Sequence, residues 1–521
     1  MRAAPTSIIL ATCGLVFPAT LPASSHTSAA VALFKPTAAA APIAEPVKIP
    51  KASPEHIAKT QAAISSLVEK HQSPRGRDAS GPNAYTSLID ALDAMQRTSH
   101  LVWRGENGTT RDGATPPDFS LIYSGTEADR QSPAYATALG QIAVLQASDL
   151  AAHLDSLAAT PRSVRPIQRS DELRRLMLVT GTDPANDAAG SGYLFEMLLP
   201  ELSAARFIAR YNVALMHLAA QVGDTDAFLR AAEHNFALSR ILAHNFTLIN
   251  RLVSHAIIAV TADYASRLIE AAVIEPTSAV AAKLKDPKVL AALDAIIGRQ
   301  LADLPPMSLQ IEGEKLAFVD ILPLVYGEGD SPLPGGWDRF NATLHATPPS
   351  AAKPISRKQE LASADALYGR MITLTAAPWD KAKVMLRDFA DNGEFGPQQL
   401  TPILSMMAIS ISRTKASSMQ IDSQIAGLRT MLALRIYETQ SGSLPESLAD
   451  IKSLTAAASM DPYTGKPLGY RTVDSKRFEL WVAGYDGKDN GGEYNTKDRF
   501  AAVTGKPSGE GKDFRVFPPI D

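Results

Sequence analysis

A chain of 521 residues, 45% hydrophobic and 20% charged, has the composition of a globular protein with room for more than one core. Its formal net charge of −3 and pI near 6.4 leave no basic footprint for a phosphate backbone, so no nucleic-acid partner is expected. The one cysteine, Cys13, lies in the N-terminal apolar segment, which excludes disulfides, cysteine metal sites and thiolate chemistry from the rest of the chain.

Residues 1–28 read as a secretory signal segment. Arg2 precedes the apolar run Ser7 to Leu21, small residues follow, and no Asp, Glu, Lys or Arg occurs between Arg2 and Lys35. Pro18 and Pro22 interrupt the run and disfavour a membrane-spanning helix. Leu10-Ala11-Thr12-Cys13 is similar to a lipoprotein cleavage box but departs from it at Thr12, so a membrane partner is expected only if Cys13 carries a lipid anchor. Residues 29–54 are rich in Ala, Pro, Ser and Thr and read as a tether. The expected location is outside the cytoplasm: periplasmic, cell-surface or extracellular.

Residues 55–417 read as a helical domain. Phe207, Tyr211, Leu215, Leu218 and Val222 recur at helical spacing, Gly223 fits a stop, and Asp224 or Thr225 fits the next N-cap. Two further stripes follow: Leu229, Ala232 and Phe236, then Phe246, Ile249, Val253, Ile257, Val260 and Tyr264. Short turns between them predict antiparallel neighbours. Weaker helical patterns cover 55–69, 85–97, 134–157, 278–304, 358–373 and 421–437, and no fixed repeat period emerges.

Candidate chemistry in this body is sparse. His234, His244 and His255 form a possible cluster, but His244 and His255 lie eleven residues apart, roughly 16 Å along one helix. Glu312 and Glu314 point to different helix faces. Glu328, Asp330 and Asp338 surround Trp337 in a Gly/Pro-rich loop, which could take a sugar or cation or be a solvated turn. No phosphate-binding loop, nucleophile elbow or zinc-protease helix occurs.

Residues 418–521 read as a small module. Ile421, Ile425, Leu428, Leu432 and Ile436 form a helical stripe ending at Ser441-Gly442, with a short helical turn around Leu448. Asp461-Pro-Tyr-Thr-Gly465 is turn chemistry. Leu468, Tyr470 and Thr472 alternate, as do Phe478, Leu480 and Val482, which predicts a hairpin around Asp474-Ser-Lys. The fold class expected for the whole is mainly α: an irregular bundle or solenoid-like body, then an α+β module of one helix and an antiparallel hairpin or sheet.

After the hairpin comes Gly484-Tyr-Asp486-Gly-Lys-Asp489-Asn490-Gly-Gly492. Glycines among carboxylates and amides suit calcium, which takes six to eight oxygens on flexible backbone. The spacing is not an EF-hand, because Lys488 and Lys497 would fall at ligand positions three and twelve. A solvated Asp/Gly turn without an ion is the alternative reading.

The order of features from Arg435 to Gly492 resembles the soluble C-terminal domain of the major pseudopilin of bacterial type II secretion systems. The resemblance covers about the last hundred residues and implies a calcium-binding loop. Asp486 matches its first aspartate, and Asp498 a later one, although Arg499 replaces the usual aliphatic. Asp489 and Asn490 are further oxygen donors in the same loop. The resemblance also implies cell-envelope or secretion-system partners. More than four hundred residues precede the module, unlike a pilin subunit, so polymerisation through an N-terminal helix is not expected. The functional expectation is an exported, non-enzymatic binding or assembly protein with a calcium-stabilised module. The alternative is a secreted hydrolase with its site between the helical body and the Glu328–Asp338 loop.

Overall fold

The structure is a computed structural model. It describes residues 52–71, 83–99, 101–102, 109–110, 117–161, 163, 175, 194, 199, 201–274, 281–302, 304–344, 355–391, 401, 403–404, 411–455, 458–494 and 511–518. Residues 1–28, read from the sequence as a signal segment, with Cys13, nearly all of residues 29–54, and Asp498 lie outside these residues.

The architecture is mainly α with a small three-stranded antiparallel sheet toward the C-terminus, as expected from the sequence. The helices are α1 (Pro54–Lys70), α2 (Ala84–Ser99), α3 (Ser120–Ser124), α4 (Glu127–Arg130), α5 (Pro133–Gln146) and α6 (Leu150–Ala159). Next come α7 (Glu201–Val222), α8 (Thr225–Ala243), α9 (Leu248–Ile274), α10 (Pro287–Leu301) and α11 (Ser308–Tyr326). Then follow α12 (Gly336–Leu344), α13 (Arg357–Ala376), α14 (Trp379–Asp391) and α15 (Ile411–Ser441). Strands β1 (Leu101–Val102) and β2 (Thr109–Thr110) make a minimal ribbon, while β3 (Gly469–Thr472), β4 (Phe478–Val482) and β5 (Phe514–Phe517) form the sheet.

Helices α7, α8 and α9 pack side by side as the stripe spacing requires. Gly223 takes φ +65° to end α7, and the Asp224 carboxylate accepts the Ala227 N–H at 3.0 Å to start α8. A polar thread crosses all three: Asn212 donates to Asn235 at 2.9 Å, and Asn235 donates to Thr261 Oγ1 at 3.0 Å. These groups are fully buried, so the thread fixes the helices' relative register, although the Asn212 amide oxygen itself has no hydrogen-bond partner among the described residues. The pattern over 134–157 is divided in the structure, with α5 and α6 separated at 147–149.

Among the described residues, two large apolar clusters organise the body, and a smaller third packs Ile64, Leu67 and Val68 of α1 against Phe246 and Leu309. One joins α2, α3, α5, α6 and α7 around Tyr85, Leu92, Phe119, Leu145 and Phe207. The other runs without a break from Phe228, Leu293 and Phe318 to Leu432, Phe478 and Phe517, so the sheet shares the body's core. The boundary expected between 417 and 418 falls inside α15. This helix packs against α9 and α10 on one side and the sheet on the other. Arg429 bridges to Asp294 on α10 at 2.7 Å.

Helix α11 is buried on most sides and carries Pro323 inside its last turn. Its Asp320 carboxylate, 3% exposed, accepts hydrogen bonds from Thr60 Oγ1 at 2.6 Å and the Leu194 N–H at 2.6 Å, and is bonded to His56 Nε2 at 2.8 Å. Those contacts pin α1 to the body. Gly313 lets α11 cross the chain before α9: a Cβ there would stand 1.9 Å from the Phe246 carbonyl oxygen. Backbone on both sides cannot yield cheaply, so Gly313→Ala should lower stability by about 3 kcal/mol or more. Chemical denaturation measures this, and an unchanged midpoint would contradict the close approach.

In the sheet, β4 is central and antiparallel to both neighbours, with Tyr470 opposite Leu480 and Arg471 opposite Glu479. The hairpin expected from the two alternating runs is therefore present. The β4–β5 register shifts between Leu480 and Trp481, and Val482 lies opposite Phe514. Phe478 and Phe517 stack with centroids 4.8 Å apart on the face toward α15, where Gly427 leaves space for Val516.

Candidate ion-binding loop

The loop after β4 is shaped by glycines. Gly484, Gly487, Gly491 and Gly492 all have positive φ, between 64° and 81°. A Cβ on Gly492 would press on the Trp481 ring at 3.1 Å, so this residue must also be small.

Each sequence-identified residue within the described part has a defined place. Asp486 Oδ1 accepts the Lys488 N–H at 2.9 Å. Asp489 Oδ1 accepts the Trp481 indole N–H and the Gly491 N–H, each at 2.9 Å. Asn490 donates its side-chain amide to the Lys488 carbonyl at 3.1 Å.

The residue missed in the sequence is Asp513, just before β5. It is 1% exposed and its carboxylate accepts the Asn490 N–H at 3.0–3.1 Å and the Gly492 N–H at 2.7 Å. Its own N–H donates to the Glu493 carbonyl at 2.7 Å. Burial pushes the Asp513 carboxyl up to about 6, and the negative charges of Asp489 and Asp486 push the same way. Asp513 thus docks on the loop through backbone N–H groups, with Asp486 and Asp489 near enough to act on it electrostatically.

Two side chains from α14 reach the same loop, also unseen in the sequence. Trp379 donates its indole N–H to the Tyr485 carbonyl at 2.9 Å, and Lys383 donates to the Asp486 carbonyl at 2.5 Å. Trp379 stands edge-on to Tyr463 and Tyr485, with centroids 5.0 and 5.1 Å away. On its other side the module is locked by Asp461, whose carboxylate accepts the Tyr463 and Ala483 N–H groups at 2.8 and 3.1 Å.

The donor set is hard and oxygen-only, which fits calcium or magnesium and not a transition metal that prefers nitrogen or sulfur. Both Asp513 oxygens already accept N–H groups, so a cation would share their remaining lone pairs. Lys383 already supplies one positive charge at the Asp486 carbonyl. Among the described residues, no group of three or more His, Cys, Asp or Glu is arranged to hold a metal ion.

The body's candidates are dispersed. His234 bonds Asp155 at 2.7 Å, His244 Nδ1 bonds the Arg240 carbonyl at 2.8 Å, and His255 Nδ1 bonds Ser417 Oγ at 3.2 Å. Burial holds His234 and His255 below the ordinary histidine range, and the Arg251 charge adds to this at His255. Glu312 takes Lys70 at 3.0 Å and is bonded to His71 at 3.2 Å. Glu314 instead accepts the Leu248 N–H at 2.8 Å at the start of α9, and burial lifts its carboxyl to about 7. Asp330 accepts the Lys358 N–H at 2.7 Å at the start of α13, and Trp337 packs edge-on against Phe340.

Among the described residues no helix is long and apolar enough to cross a membrane. No protein-family model, curated protein or solved structure matches the chain.

Proposed function

We propose that the chain is an exported, non-enzymatic binding or assembly protein whose C-terminal module resembles a pseudopilin domain and is stabilised by calcium. The observation that carries the ion reading is the buried Asp513 carboxylate meeting the Asp486–Gly492 loop beside two further aspartates. Asp486, Asp489 and Asp513 supply charge, Asn490 supplies an amide oxygen, and Asp498 is proposed from the resemblance alone. Cell-envelope or secretion-system partners rest on that same resemblance.

Calcium here acts on stability. A cation that binds the folded loop and not the unfolded chain adds about 2.7 kcal/mol at a hundred times its Kd. Calorimetry on the full chain should give calcium heat, and a chelator should lower the melting temperature. Because the proton on Asp513 leaves near pH 6, calcium affinity should rise as pH increases from about 5 to about 7. Absence of calcium heat at about pH 7, together with a melting temperature indifferent to chelator, would remove the ion from this reading.

A further inference from the structure

The first turns of α9 carry buried hydrogen-bond donors with no acceptor among the described residues. Asn250 and Ser254 are 0% exposed and Arg251 is 7% exposed. Among the described residues, Asn250 Nδ2, Arg251 Nε and Nη1, and Ser254 Oγ meet no hydrogen-bond partner. Positions 250, 251, 254 and 255 share one arc of the helix, so these groups are neighbours. Buried donors are ordinarily paired, and a guanidinium without an acceptor is the costliest of them to bury.

The groups facing this arc do not fill the gap. His255 is bonded to Ser417 of α15, and Lys415 of α15 gives its ammonium to the Thr375 and Ala377 carbonyls at 3.0 and 3.1 Å. Asp422 of α15, whose side chain reaches the surface, attracts both Arg251 and Lys415 electrostatically without an ion pair to either among the described residues. Glu314 is committed to the Leu248 N–H at the helix start. Two cations face Asp422 and a Glu314 carboxyl that burial lifts to about 7, so the balance is positive by up to about one charge, and the first turn of α9 adds the positive end of its dipole.

We propose that this arc, centred on Arg251 between α9 and α15, is a binding site for a small oxyanion group of about one negative charge, a carboxylate or a phosphate ester. The oxyanion accepts from Arg251, Asn250 and Ser254. Asp422 stands beside it and sets the charge balance. The site is separate from the calcium-loop reading and does not depend on it.

The test uses the full chain with acetate and inorganic phosphate as probes, at constant ionic strength set by chloride. Calorimetry should show saturable binding of at least one probe. Arg251→Met should weaken it about tenfold or more, the scale of a charge-assisted hydrogen bond. Arg251→Lys, which keeps the charge but loses the fork, should weaken it less. Asp422→Asn should tighten it. Without probe, Arg251→Met should melt no lower than the parent, because it removes an unpaired buried charge. The opposite pattern overturns the site: no saturable binding of either probe, or binding that survives Arg251→Met. Lower melting of both Arg251→Met and Asp422→Asn without any probe response would likewise overturn it, making Arg251 a structural partner of Asp422.

Discussion

Replacing Arg435 by Ala should lower the stability of the whole chain by about 2–4 kcal/mol, since it breaks a network whose cation is buried while its carboxylates are partly exposed. Arg435 is among the largest fully buried side chains, and its contacts come from three directions. Nη2 donates to Glu270 of α9 at 2.5 Å, while Nη1 donates to Glu438 and to the Lys476 carbonyl, both at 2.7 Å. The guanidinium carbon lies 4.7 Å from the centre of the Phe478 ring. One side chain therefore ties the body, the shared helix and the β3–β4 turn together. Burial already pushes the Glu270 carboxyl up and Arg435 pulls it down, so the variant should leave Glu270 protonated at higher pH. Denaturant unfolding followed by helix and tryptophan signals measures the loss. A variant that loses less than about 1 kcal/mol would show that the junction does not depend on this residue.

The second large effect is expected at Asp513. Asp513→Ala removes the acceptor of two loop N–H groups, Asn490 and Gly492, the latter buried. Each unpaired buried group costs about 1–3 kcal/mol, so a loss of about 2–4 kcal/mol is expected, discounted for the more exposed Asn490. Amide exchange at 490 and 492 should accelerate while β4 stays protected. The pH sign is fixed by the raised carboxyl. Its folded value near 6 lies above the ordinary aspartate range, so the folded state holds this proton more tightly than the unfolded state. The contribution is complete below about pH 4 and lost as pH rises through about 6. In Asp513→Asn that slope should disappear. If the slope persists unchanged in the variant, another group is responsible.

Much of the helical framework is readable in the sequence because a half-exposed helix leaves a stripe. Phe207 and Tyr211 are buried where the spacing puts them, and Asp224 caps where the glycine before it predicts. Helix α11 leaves no stripe because apolar residues occupy most of its circumference, from Leu309 to Tyr326. The hairpin was legible from Tyr470 and Leu480 alternating across a polar turn, whereas β5 is only four residues with Arg515 at its centre. The loop residues Asp486, Asp489 and Asn490 were visible as local chemistry. Asp513 and Lys383 were not, since one lies 23 residues after Asn490 and the other 103 before Asp486. Only pairing of β4 with β5, and packing of α14 beside the loop, brings them in. The donors around Arg251 that meet no partner among the described residues are likewise a property of the packed state.

The position of β5 also sets a timetable for synthesis. Val482 closes β4 and Phe514 opens β5, so 514 − 482 = 32 residues must be added before the central strand gains its second partner. At about 5–20 residues per second, that is about 2–6 s of elongation. During that interval one edge of β4 is bare and the hollow at Gly427 lacks Val516, although every helix of the body has already been made. The nascent chain therefore completes this edge last, after the helices that β4 packs against.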